Sequence, residues 1–405
     1  MIIFGVFFLV LQTYFVFFQP KYFLFAYLLF ISSFLGFISN QVLVSGMEIG
    51  LFYQSVLMML VFIRYFRRIL DLTKHFKILL FLIVFIYVYG IVKPVSSGMS
   101  SLTQSIIASK EFSTLFLIPY LFIFRNFFSI NYIIKVLSFF GYYFLFILIL
   151  FLLLDFIPVQ YVKGVGAIEF YYPTILSLFL FIKSGHAKNI LEIVLVLFLL
   201  TIWSVGMYFE GHLALMLTTT FGCISVIFKL PVINFVNKKS WFILAIVSIL
   251  LLSTFSSYLT ELSKFFNESS SIASRNIVNE ARMELIFERP LFGYGFMHDS
   301  ALELDSNNSY GKNLFVIDSG YIDLLGKFGY VGMFIYLFFL TIPFLKRERN
   351  IVMISLKLFF FQLFFVNITW SVFSFSMGII SISIALFFFY NYKNNLKTKS
   401  FIKYI

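Results

Sequence analysis

Long apolar runs separated by short polar joints fill most of the chain. A membrane-crossing helix needs about 20 apolar residues, and by that measure there are about thirteen candidate spans. They are 2–18, 22–40, 44–63, 76–92, 112–129, 133–157, 170–183, 190–208, 212–229, 241–260, 328–345, 351–371 and 374–391. The run 170–183 is short, and the first two runs can form one hairpin. The expected fold is an all-α polytopic membrane protein of about 12–14 transmembrane helices. One stretch, 261–327, breaks the pattern between the tenth and eleventh predicted spans. It is far longer than the other joints and carries apolar and aromatic residues throughout, so it is expected to be ordered and functional. The chain thus divides into a bundle of about ten spans over 1–260, a large extracytoplasmic loop with short helices over 261–327, C-terminal spans over 328–391, and a basic cytoplasmic tail over 392–405.

Composition agrees with a bilayer setting. Of the 405 residues 61% are hydrophobic and 12% charged, against about a quarter charged in soluble domains. The net charge of +12 does not indicate nucleic acid, because the basic residues sit in short joints. Arg64, Arg67, Arg68, Lys74 and Lys77 crowd one joint, and the positive-inside rule makes it cytoplasmic. Alternate counting then puts Lys21, Arg125 to Lys135, Lys183 to Lys188, Lys229 to Lys239, Lys346 to Arg349 and the tail on that same side. The result is a multi-pass cell-membrane protein with the N-terminus outside and the C-terminus in the cytoplasm. The apolar N-terminus lacks a basic leader and a small-residue cleavage site, so it reads as a first span. A single cysteine, Cys223, leaves no internal disulfide and reads as a small buried hydrophobe. Four scattered histidines without H-x-x-x-H spacing give no zinc signature.

Ionisable groups within apolar runs are costly and point to function unless a blander account holds. Glu48 and Glu192 lie near span ends, Arg125 marks a boundary, Asp155 ends its helix within reach of water, and Lys357 is expected to snorkel inward. Glu210-Gly211-His212 makes a tight outer turn between two strong helices. A carboxylate beside an imidazole can move protons; a polar cap on a hairpin is the plainer reading.

The long outer stretch holds more. Residues 273–287 lack Gly and Pro and read as a helix ended by Pro290. Arg275, Arg282 and Arg289 recur every seven residues and share one face. An arginine face suits a diphosphate, because the guanidinium fork binds phosphate oxygens in pairs; a solvated helix of mixed charge would look the same. In Pro290-Leu291-Phe292-Gly293-Tyr294-Gly295 the proline fixes the entry and the glycines permit a tight turn with positive φ. No strand precedes this G-x-G, so it is not a dinucleotide site. Tyr294 and His298 are candidates for glycan contact. Residues 318–328 read as a helix at the membrane surface, carrying Asp318 and Tyr321. Asp318 follows an apolar run, a setting suited to a general base.

Ser274-Arg275, then Pro290-Leu291-Phe292-Gly293-Tyr294-Gly295, then Asp318-Ser319-Gly320-Tyr321-Ile322-Asp323-Leu324-Leu325-Gly326-Lys327-Phe328-Gly329-Tyr330-Val331-Gly332 resemble the large-loop signature of the O-antigen polymerase/ligase superfamily. The resemblance in motif covers Ser274 to Gly332, and the late large outer loop resembles the superfamily's architecture. It implies a metal-independent, cofactor-free glycosyltransferase of polysaccharide synthesis (O-antigen, capsule or exopolysaccharide). The donor would be an oligosaccharide on undecaprenyl pyrophosphate, the acceptor a sugar hydroxyl of another lipid-linked repeat unit. The bilayer is one partner and a chain-length regulator protein is another that the resemblance admits. Arg275 would contact the pyrophosphate, with Arg282 and Arg289 beside it. Asp318, Glu210 and His212 are the catalytic candidates; Tyr294, His298 and Tyr321 would contact the glycan. Two departures stand out. Asp318-Ser319 replaces the His-Asn common in ligases, which favours a polymerase. Trp203-Ser204-Val205-Gly206 lacks the arginine many members carry there. The alternatives are an O-antigen ligase, a lipid-linked oligosaccharide flippase, and a non-enzymatic export channel; the last two fit poorly with a chain showing no matched halves and one long outer loop.

Overall fold

A computed structural model of the chain describes residues 2–31, 43–44, 47–67, 74–154, 159–162, 166–169, 172–209, 212–236, 286–296, 320–345, 347–369 and 376–402. The described residues form α1 (Ile2–Phe17), α2 (Pro20–Ile31), α3 (Ile49–Arg64), α4 (Lys74–Ser96), α5 (Leu102–Ala108), a 3-10 turn (Phe112–Phe116), α6 (Leu117–Ile123), α7 (Ile130–Leu154), α8 (Pro173–His186), α9 (Ile190–Phe209), α10 (Leu213–Ile227), α11 (Val232–Val236), α12 (Gly320–Thr341), α13 (Ile351–Thr369) and α14 (Ser376–Ile402). The architecture is helical, as expected. Two short antiparallel pairs interrupt it: β1 (Leu43–Val44) with β2 (Met47–Glu48), and β3 (Val159–Val162) with β4 (Gly166–Glu169).

Four described helices are long and apolar enough to cross a membrane: Lys77–Ser96, Ile130–Leu154, Ile190–Tyr208 and Gly320–Leu345. Their outer faces show why. Ile78, Phe81, Phe85, Val88 and Val92 of α4 are all exposed. Their three- and four-residue spacing is one helical stripe, and such an apolar stripe has no place in water. Leu213, Leu217 and Phe221 of α10 repeat the pattern. This is a membrane-embedded helical protein.

Several expected spans are corrected. The run 44–63 becomes helical only at Ile49, because Ser45-Gly46 punctuates it with a turn signal and strands flank that pair. The run 112–129 is not one straight helix. It is a 3-10 turn followed by α6, bent by 69° from α5. The Ser113 and Thr114 hydroxyls donate to the carbonyls of Lys110 and Glu111, three residues back, which suits the tighter winding. The expected tail at 392–405 continues α14 as helix to Ile402. The run 241–260 lies outside the described residues.

The centre of the bundle is α8, the short run. It is buried almost from end to end. At about 21 Å it is shorter than a hydrocarbon core of about 30 Å; enclosed by protein, it has no need to span. Between helices in lipid, close packing and hydrogen bonds replace the hydrophobic drive. Accordingly, Phe179 sits over Gly141 of α7, Phe181 over Gly222 of α10, and Gly185 against Val352 and Ser355 of α13. Three buried polar groups close a ring. Gln362 Nε2 donates to Ser177 Oγ (2.6 Å), the Ser177 and Thr219 hydroxyls pair (2.9 Å), and Thr219 Oγ1 donates to Gln362 Oε1 (2.8 Å). Each member donates once and accepts once, so the ring is self-satisfied. Ser381 donates to Thr174 nearby in the core (2.8 Å).

Some of the basic joints pack against other elements. Phe122 and Phe128 pack on Phe387, which sets the start of the basic joint 125–135 against the middle of α14. Gly185 packs on Val352, joining the joints 183–188 and 346–350. At the other end, Tyr321 donates to the Phe364 carbonyl (2.9 Å) and Gly320 abuts Asn367. Lys357 is a correction. It is fully buried within the protein, so it does not snorkel to a surface.

Candidate functional site

Two of the sequence's notable glycine motifs interlock. In a regular helix Tyr330 N–H would bond the Gly326 carbonyl and Val331 N–H the Lys327 carbonyl. Gly329, at φ 61° and ψ −162°, breaks α12 and opens both bonds. The segment Pro290–Gly295 then pairs all four groups. Tyr294 N–H donates to Gly326 O (2.9 Å) and Gly295 N–H to Lys327 O (2.7 Å). Tyr330 N–H donates to Pro290 O (2.8 Å) and Val331 N–H to Leu291 O (3.1 Å). A broken helix at membrane depth persists only when its opened backbone groups find partners, and here one short segment provides them. The expected positive φ appears at Gly293 (62°) and Gly295 (80°). A Cβ on Gly293 would lie 2.6 Å from the Lys327 carbonyl carbon.

A second gap receives the end of that segment. Pro94 lies inside α4 and has no N–H, so the Gly90 carbonyl loses its helical donor. Phe296 N–H takes that acceptor at 2.6 Å. Gly90 leaves room for the Phe296 ring, and a Cβ on Gly295 would lie 2.6 Å from Gly90 O. The rings of Phe296, Phe112 and Phe328 then meet pairwise at 5.0–5.3 Å. Tyr89 OH donates to the Phe292 carbonyl (3.0 Å). Gly90 and Pro94 were not singled out from the sequence. Their spacing of four residues, glycine then proline, was the available signal.

This clamp places some of the candidate residues. A helical turn at 286–288 stops before Pro290, as expected. The Arg289 guanidinium lies over the Tyr294 ring, 4.8 Å from its centroid, and reaches Met99 Sδ at 4.0 Å. Tyr294 OH donates to Glu288 Oε2 (2.6 Å). Burial, and then that carboxylate, push the Tyr294 hydroxyl up to about 12. So Arg289 and Tyr294 come together, with Glu288 as an unforeseen third member. Tyr321 lies on α12, buried, its hydroxyl committed to the Phe364 carbonyl; its position is interior. His212 is half-buried at the start of α10, and its backbone N–H donates to Met207 O (3.0 Å). Arg275, Arg282, His298, Asp318, Glu210 and Asp155 lie outside the described residues. Asp323, not singled out before, is 1% exposed and holds Lys327 Nζ at 2.7 Å. Among the described residues no group of three His, Cys, Asp or Glu side chains could hold a metal ion.

The arrangement can present fixed cations beside a desolvated boundary, on backbone that cannot shift without opening hydrogen bonds. No protein-family model, curated protein or solved structure matches the chain.

Proposed function

We propose that this membrane-embedded protein is a polysaccharide polymerase of the O-antigen, capsule or exopolysaccharide kind. It transfers a glycan from undecaprenyl pyrophosphate to a sugar hydroxyl of another lipid-linked repeat unit. The observation that carries the reading is the interlock. Pro290–Gly295 and Gly326–Val331, two of the motif pieces behind the family resemblance, hold each other residue by residue. That these pieces meet supports reading them as parts of one site. With the basic end of the bundle read as cytoplasmic, the clamp would lie on the outer side, where lipid-linked repeat units would be presented.

Roles follow from chemistry. Displacing a diphosphate builds negative charge on the leaving oxygen, which Arg275, Arg282 and Arg289 would stabilise. Asp318 would take the acceptor proton, with Glu210 and His212 as the alternative pair. Attack opposite the leaving group inverts the anomeric centre. Tyr294 is buried beneath Arg289, so its part here would be to hold that guanidinium in place rather than to stack on a sugar. The test is deletion of the gene followed by analysis of lipid-linked glycans. Single repeat units accumulating on the outer leaflet support a polymerase. Units held on the inner leaflet point to a flippase, and polymer of normal length removes the reading.

A further inference from the structure

Two helix discontinuities meet at the clamp. One is the break at Gly329. The other is the 69° bend between Leu102–Ala108 and Phe112–Ile123. From Phe112 to Ile123 the chain rises about 20 Å, at ~2.0 Å per 3-10 residue and ~1.5 Å per α residue. A hydrocarbon core is about 30 Å thick. With Arg125 read as one boundary and the segment taken along the membrane normal, the bend would fall inside the membrane's thickness. Phe112 stands at the bend and packs on Phe296 and Phe328 from the clamp. Irregular backbone at membrane depth is found where protein or a wet cavity surrounds it, and broken helices recur at the substrate sites of membrane proteins.

Lys327 stands at this junction. Its Nζ is 2.7 Å from Asp323 Oδ2 and 5.3 Å from the centroid of the Phe112 ring. The carboxylate side chain is 2% exposed and the lysine 29%. The lysine's own carbonyl is pinned by Gly295 N–H. Arg289 lies over Tyr294, whose N–H bonds the neighbouring Gly326 carbonyl. Two cations remote in sequence therefore attach to adjacent rungs of one backbone clamp.

Resting on the glycosyltransferase reading, we propose that Lys327 is a further diphosphate contact, acting with Arg289, and that Asp323 is its positioning residue. In the transfer, the acceptor oxygen bonds the anomeric carbon and its proton passes to the base. The bond from that carbon to the diphosphate breaks, and its electron pair leaves on the diphosphate oxygen. The Lys327 ammonium donates to the diphosphate as that charge grows. Asp323, sealed from water, needs a charged partner and keeps the ammonium in register.

An ion pair serving only to hold the fold would leave the preference for a pyrophosphate ligand unchanged when both members are replaced. Replacing both members of such a pair with neutral groups costs little. The test uses the full chain in lipid nanodiscs with two probes, undecaprenyl pyrophosphate and undecaprenol, read as binding and as thermal stability. Wild-type protein should prefer the pyrophosphate. The double variant Asp323→Asn/Lys327→Met should melt near wild type and lose about tenfold of that preference, the worth of one charge-assisted contact. Lys327→Arg should keep most of it. If the double variant fails to fold, Lys327→Gln carries the same reading, with the same tenfold loss expected. Preference unchanged in whichever of these variants folds, yet lost in Arg275→Ala, overturns the role of Lys327 and leaves the enzyme reading standing. No preference in wild-type protein overturns both.

Discussion

Gly329 and Leu291 touch backbone to backbone: a Cβ on Gly329 would stand 2.5 Å from the Leu291 carbonyl oxygen. That contact is the hub of the clamp. It explains why a glycine breaks α12 there and why the partner segment needs glycines of its own.

Gly329→Ala should destabilise the protein more than Gly98→Ala. Both glycines have positive φ (61° and 71°), but nothing lies within 4 Å of a Cβ on Gly98. Gly98→Ala then costs only the backbone strain, about 1–2 kcal/mol. Gly329→Ala adds displacement of Leu291 and Phe292. Thermal unfolding in detergent of the two variants side by side checks this; equal losses would show that the contact is slack.

The buried ring predicts a reversal. Gln362→Leu alone strands two buried hydroxyls and should cost about 1–3 kcal/mol. Adding Ser177→Ala and Thr219→Val removes every stranded group and should recover most of that loss. Melting temperatures of the single and triple variants decide it. A triple variant less stable than Gln362→Leu would contradict the account.

Tyr294 gives an alkaline signature. Its hydroxyl is raised to about 12 in the folded protein from about 10 in an unfolded chain. The neutral form is therefore favoured by folding. That stabilisation is complete below pH ~10 and fades as pH climbs through ~12. Tyr294→Phe should be less stable than wild type at pH 8, by about 1 kcal/mol for the lost bond to Glu288. The gap should narrow by pH 11.5. A gap that widens with pH would mean that the hydroxyl titrates low.

Arg275→Ala should abolish polymer without lowering the amount of protein, and Arg289→Ala should reduce polymer strongly. Arg289→Lys keeps the charge but loses the flat guanidinium over Tyr294, so it should restore only part. Polymer length on gels of surface polysaccharide reads all three. Near-normal polymer in Arg275→Ala removes it from the site.

Much of the helical plan was legible, because lipid imposes length and composition on any span. The run 190–208 matches α9 nearly residue for residue, and 351–371 matches α13 closely. What hydropathy cannot distinguish is a straight helix from a broken one. The run 112–129 is apolar enough to read as a span, yet it begins in a bend. Lys357 looked like a snorkelling residue from its distance to the span end; which way it faces depends on α13 being enclosed, a tertiary fact. At the site, the turn glycines and the stop at Pro290 were readable from local chemistry. The pairing of Gly90 and Pro94 with Phe296, more than two hundred positions apart in the chain, was not. No local rule links a missing helical donor to its remote replacement.

The most direct measurement is reconstitution. Purified protein in liposomes, given undecaprenyl-pyrophosphate-linked repeat units, should yield glycans of two or more units on one carrier. Each bond formed should release one undecaprenyl pyrophosphate. Repeat units that stay single, or that cross the bilayer without lengthening, would contradict the account.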